Sequence, residues 1–69
     1  MQVTIRFTAD ANVYDAISTL KDSELNSVMR LIGGFIFDTN RTLDEVLADL
    51  TAAGFERKTH IEKIEFCWE

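Results

Sequence analysis

Apolar and polar residues alternate strictly from Gln2 to Thr8: Val3, Ile5 and Phe7 fall on one parity, and Gln2, Thr4, Arg6 and Thr8 on the other. A period of two sends neighbouring side chains to opposite faces, so this segment predicts a strand with one buried face. Ala9-Asp10-Ala11-Asn12 breaks the alternation. Asn12, with Asp15 three residues on, suits a helix start, and Asp10 is a rival cap. Val13, Ile17 and Leu20 follow at helical spacing. Continued unbroken to Ile32, this helix would set Glu24 in the middle of its apolar stripe. A restart near Asp22-Ser23 avoids that, and Leu25, Val28, Met29 and Ile32 then repeat at i, i+3, i+4, i+7. The pattern predicts two helices with a bend, or one kinked helix, with the break at about Lys21–Ser23 and the second part running to Ile32.

Gly33-Gly34 ends that helix on this reading, as a C-terminal cap and a tight entry into a short strand, Phe35-Ile36-Phe37. Asp38-Thr39-Asn40-Arg41 is turn-like. Thr42-Leu43-Asp44-Glu45 matches a capping box, in which Thr42 accepts from the Glu45 amide and the Glu45 side chain reaches back. Leu43, Val46, Leu47 and Leu50 give the helix behind it one apolar stripe. Gly54 stands where a left-handed cap belongs, with Phe55 as the apolar contact beyond it. Residues 58–69 read as a strand, with Ile64, Phe66 and Trp68 on one parity and Lys63, Glu65 and Cys67 on the other.

One stripe per helix and one apolar face per strand are satisfied together by helices laid on one side of a small sheet. The expectation is a single α+β domain over residues 1–69, a two-layer β-α(α)-β-α-β arrangement approximating a ferredoxin-like split βαβ. Its sheet has three strands, or four if residues 55–59 form a strand of their own. A right-handed crossover is expected where strands run parallel.

A chain of 69 residues hides only roughly 60% of its unfolded surface on folding, so the core has little to spare. Cys67 is the only cysteine, which excludes an internal disulfide, and Cys67 with His60 falls short of the four ligands of a structural zinc site. No cofactor or metal site is expected. The opening MQVTIRFT has neither a basic n-region nor an apolar h-region, and no apolar run approaches the ~20 residues of a membrane span. A cytoplasmic protein without membrane contact is the expectation, and a single cysteine suits a reducing compartment.

Charge narrows the partners. Twelve acids and seven bases give −5, and residues 33–69 hold eight of those acids against four bases. Phosphate backbones are bound by neutralising lysines and arginines. This chain has the opposite sign and no basic run longer than Arg57-Lys58, so direct nucleic-acid binding is not expected, whereas a protein with a basic surface is.

Candidate chemistry is thin. His60 and Cys67 are the only nucleophile–base candidates. Their odd separation on one strand puts them on opposite faces, about 23 Å apart at ~3.3 Å per residue. Asp38-Thr39-Asn40 lacks the remaining ligands and the glycine of a calcium loop. Gly33-Gly34 meets a helix C-terminus on this reading, the end whose dipole repels phosphate. An RNA-binding sheet displays aromatics on its open face. Here Phe7, Phe66 and Trp68 take the inward parity, leaving Thr4, Arg6, Thr8, Lys63, Glu65 and Cys67 outside.

Asp44, Glu45 and Asp49 lie on the third helix away from its leucines, with Glu45 and Asp49 one turn apart and no base on that helix. These three, with Glu62, Glu65 and Glu69, are the expected partner-binding residues. The expected function is a small acidic non-catalytic protein-binding regulator. It would be an inhibitor that docks an acidic face on a basic nucleic-acid-handling protein, of the phage anti-defence (anti-CRISPR) or antitoxin kind. The alternative is a homodimeric ferredoxin-like small-ligand sensor with Gly33-Gly34 near its pocket. A homodimer through an edge strand or the open sheet face is compatible with either.

Overall fold

The computed structural model describes residues 1–67. The expectations placed on Trp68 as a core plug and on Glu69 as a partner-binding residue therefore lie outside the described residues. Four strands and three helices follow in the order β1 (Gln2–Phe7), α1 (Val13–Ile17), α2 (Asp22–Leu25), β2 (Met29–Leu31), β3 (Gly34–Asp38), α3 (Leu43–Ala52) and β4 (Ile61–Cys67). The strands form one open sheet in the order β2-β3-β1-β4, with every neighbouring pair antiparallel.

The alternation in β1 does what its period dictates. Val3, Ile5 and Phe7 are buried, and they face Phe37 and Phe35 on β3 and Ile64 and Ile61 on β4. Ala16, Leu20, Val46, Leu50 and Phe55 close over this face to complete one core. α1 and α3 thus cover the same side of the sheet, and α2 is joined to α3 through Glu24, Arg41 and Asp49. Phe7 is the hub of the aromatic packing, with ring centroids 5.5 Å from Phe35 and 5.7 Å from Phe55.

Local chemistry sets the helix ends. The Asn12 side chain accepts from the Tyr14 and Asp15 amides. The Thr42–Glu45 capping box forms in both directions. Gly54 adopts φ +97°, and the Phe55 amide returns to the Leu50 carbonyl at 2.9 Å, sealing α3 and turning Phe55 into the core.

The segment after Leu25 departs from the helical reading. The apolar spacing of Leu25, Val28, Met29 and Ile32 does not build a helix: α2 stops at Leu25, and Met29–Leu31 is a strand in a hairpin with β3. An apolar run this short fits either period. Tertiary ties decide it here. The Ser27 hydroxyl donates to the Glu24 carbonyl at 2.9 Å and accepts from the Asp38 amide at the same distance, which stops the helix and pins its end to β3. Three members of the expected stripe are then exposed, Ile32 at 95%, Met29 at 64% and Leu25 at 38%.

Gly33-Gly34 accordingly is not a helix cap. Leu31 pairs with Gly34, so Ile32-Gly33 is a two-residue hairpin loop, and Gly33 takes φ +73°. Gly34 has a different reason. A β-carbon there would lie 2.1 Å from the Ile5 carbonyl oxygen, so close approach of strand to strand demands glycine. The fourth strand comes from residues 29–31 and not from residues 55–59, which form a turn closed by the His60 amide on the Glu56 carbonyl at 2.8 Å.

Candidate partner-binding surfaces

The polar centre of the molecule is one the sequence pattern treats only as a clash. Glu24 is 2% exposed. One oxygen accepts from the Lys21 amide at 2.7 Å, holding the first turn of α2. The Arg41 guanidinium grips both oxygens, with Nη2 to Oε1 at 2.7 Å and Nε to Oε2 at 2.9 Å, and the buried Thr39 hydroxyl adds a further bond. Arg41 also pairs with Asp49 on α3. The cluster binds α2, the loop after β3 and α3 together. Burial by itself pushes the Glu24 carboxyl up, but the hydrogen bonds from Arg41, Thr39 and the Lys21 backbone, with the Arg41 charge, more than offset this. The net effect holds Glu24 below its ordinary 4.5. Arg41 is raised in turn, chiefly by its hydrogen bonds to Glu24.

This network reassigns part of the expected acidic face. Asp49 is tied to Arg41. Glu45 is exposed, but its carboxylate accepts from the Thr42 amide at 3.2 Å. Like charges one turn apart on a helix repel, and for Glu45 and Asp49 this is countered by partners outside the helix. Asp44 is exposed on the same first turn. Glu62 and Glu65 are exposed on β4, and Glu65 pairs with Lys63 at 3.0 Å. Glu65 stands opposite Thr4, whose neighbours Val3 and Ile5 are buried, so it is on the sheet face away from the helices. Asp44 and Glu45 lie in the helix layer. The acids named from the sequence thus divide between two sides of the molecule.

The outer sheet face carries more than the expected Thr4, Arg6, Thr8, Lys63, Glu65 and Cys67. Met29 and Ile36 share one cross-strand row with Thr4 and Glu65, and Leu31 lies in the next row with Gly34, Arg6 and Lys63. With Ile32 at the hairpin tip they make an apolar end to an otherwise polar face. The helical reading of residues 25–32 hides this patch, and a hairpin reading of the glycine pair between two apolar runs would have uncovered it. On the same edge strand, Arg30 is directed to the helix side, opposite the buried Phe35, with its guanidinium carbon 4.3 Å from the centre of the Tyr14 ring.

His60 lies in the turn just before β4, and Cys67 is the last residue of that strand. His60 Nδ1 accepts from the Glu56 amide at 3.0 Å, and its ring packs edge-on to Phe55, which makes it part of the turn. Thr39 of the D-T-N stretch is buried in the Glu24 cluster. Gly34 leaves no room beside it for a ligand, because its α-carbon is packed on the β1 backbone. Among the described residues, no three His, Cys, Asp or Glu side chains gather in a metal-holding group, and no helix is long and apolar enough to cross a membrane. No family model, curated protein or solved structure matches the chain.

Proposed function

We propose that the chain is a small non-catalytic protein-binding regulator that docks on a partner protein with a basic surface. The observation that carries this reading is the character of the exposed groups. A domain with a net charge of −5 leaves Met29 and Ile32 largely in solvent while burying Phe35, Phe37 and Val3 completely. Exposed apolar residues gathered at one place and bordered by polar ones mark interaction surfaces, and surplus charge steers the partner of opposite sign. A nucleic-acid-handling protein supplies such a basic surface, which puts inhibitors of the phage anti-defence, anti-CRISPR or antitoxin kind in the functional class. Asp44 and Glu45 are its acidic determinants on the helix side, and Glu62 and Glu65 those on β4. The single cysteine supports action in the cytoplasm. The sheet order supports a ferredoxin-like split βαβ arrangement, because β3 separates β1 from β2 and β1 separates β3 from β4.

The test is capture from host lysate on the immobilised chain at low and high salt, with the Asp44→Asn/Glu45→Gln double variant beside it. Glutamine retains the capping geometry, so only charge is removed. Capture should weaken with salt and with the double variant. Binding indifferent to both would remove the acidic-docking reading.

A further inference from the structure

The edge of the sheet away from the hairpin is β4; six of its seven residues stand opposite β1, with Glu62 passed over where the register shifts, and among the described residues β1 is its one neighbouring strand. Backbone groups along an antiparallel strand point alternately to its two neighbours. The Phe7 amide donates to the Gly33 carbonyl, toward β3, and the Thr8 amide donates to the His60 carbonyl, toward β4. Counting back, Arg6 and Thr4 direct their backbone groups to β4. Their register partners Lys63 and Glu65 point back at β1. Ile64, between them, therefore presents its N–H and C=O outward from the edge.

We propose that β4 pairs with β4 of a second copy of this chain, antiparallel and centred on Ile64, to form one continuous eight-stranded sheet. The occupant is selected by charge. In this register Lys63 of each copy stands opposite Glu65 of the other, twice over, at the non-hydrogen-bonded positions where Cα atoms approach to ~4.5 Å. Both side chains lie on the outer face, more than half exposed, and within one copy they already pair at 3.0 Å. Moving the centre to Lys63 or to Glu65 sets that residue against its own counterpart, a like-charge pair directly opposite, which destabilises. Ile64 meets Ile64, and the half-exposed Phe66 flanks the seam on the core-side parity. The contact is isologous, as a twofold dimer requires. A lone lysine protects an edge from pairing. A lysine and a glutamate placed symmetrically about an outward-facing isoleucine invite pairing with the same sequence instead.

Sedimentation of the full chain across a concentration range tests this. The mass should rise from 7.9 kDa toward twice that value. K63E and E65K should each weaken self-association at least tenfold, and mixing the two variants should restore a heterodimer, because both cross-strand pairs are then opposite in charge. Amide exchange of the wild type gives a second readout. The Ile64 amide should slow as concentration rises, while the Lys63 amide, bonded to β1, should not change. A chain that stays monomeric with concentration-independent exchange at Ile64 overturns the proposal, and so does a dimer untouched by either substitution. A wild-type monomer whose β4 accepts an extended segment of another protein also overturns it. The basic-partner reading is probed at Asp44 and Glu45, away from β4, so either conclusion can fail alone.

Discussion

Replacing Arg41 with alanine should be among the most damaging single changes outside the apolar core. It would leave the Glu24 carboxylate, whose side chain is 3% exposed, with only Thr39 and the Lys21 amide as partners. Removing one member of a buried ion pair costs about 3–5 kcal/mol. The Arg41 side chain is 14% exposed, and water entering its place relieves part of that cost, so the low end, ~3 kcal/mol, is expected. A domain of this size holds only about 3–10 kcal/mol in all. At roughly 4–8 °C per kcal/mol, the loss corresponds to a fall in Tm of about 12–24 °C.

Thermal denaturation by circular dichroism reads this directly, and the Glu24→Leu/Arg41→Met pair sharpens it. With both partners apolar, no charge is stranded, so the double variant should lose less than the two single losses added together. pH supplies an independent check. The folded Glu24 carboxyl lies below its ordinary 4.5. Its contribution is therefore complete above that ordinary value and is lost as pH falls through the folded one. The stability gap between the wild type and Glu24→Gln should accordingly narrow on acidification from neutral pH. A loss under 1 kcal/mol for Arg41→Ala, or a gap that stays constant with pH, would refute the account of this cluster.

Gly34→Ala should abolish or severely weaken folding, because its β-carbon would meet the Ile5 carbonyl at 2.1 Å, whereas Gly54→Ala, with nothing within 4 Å but φ +97°, should cost only ~1 kcal/mol; urea denaturation of the two compares them. Thr42→Ala removes the acceptor for the Glu45 amide and should cost about 1 kcal/mol in the same assay. Ile32→Ser, at a residue 95% exposed, should leave stability within ~0.5 kcal/mol of wild type while weakening partner capture.

What the residue pattern made legible was whatever local chemistry determines. The alternation of Gln2–Phe7 and the Thr42–Glu45 box with Gly54 behind it describe β1 and α3 almost as they stand, since period, cap and breaker agree there. Residues 25–34 are ambiguous in the pattern because a helical spacing and a short apolar strand coincide there, and the deciding ties, from Ser27 to Asp38 and from Met29 to Ile36, reach outside the segment. Glu24 carried a signal that was turned the wrong way. An acid in an apolar stripe calls for a cation, and Arg41, seventeen positions on, is that cation. The same error hid the apolar patch of Met29, Leu31, Ile32 and Ile36. The division of the acids between two faces could not be read before β4 was known to pair with β1 through Thr4 and Glu65.

The central claim, that an acidic exterior brings this domain to a basic protein, is tested most directly by the rate at which it associates with the captured partner at increasing ionic strength. Long-range attraction predicts an association rate that falls steeply with salt, by about tenfold or more across the range in which surface charges become screened. Asp44→Asn should lower the rate at low salt and flatten its salt dependence. An association rate that is flat with ionic strength and unchanged by Asp44→Asn would contradict the claim.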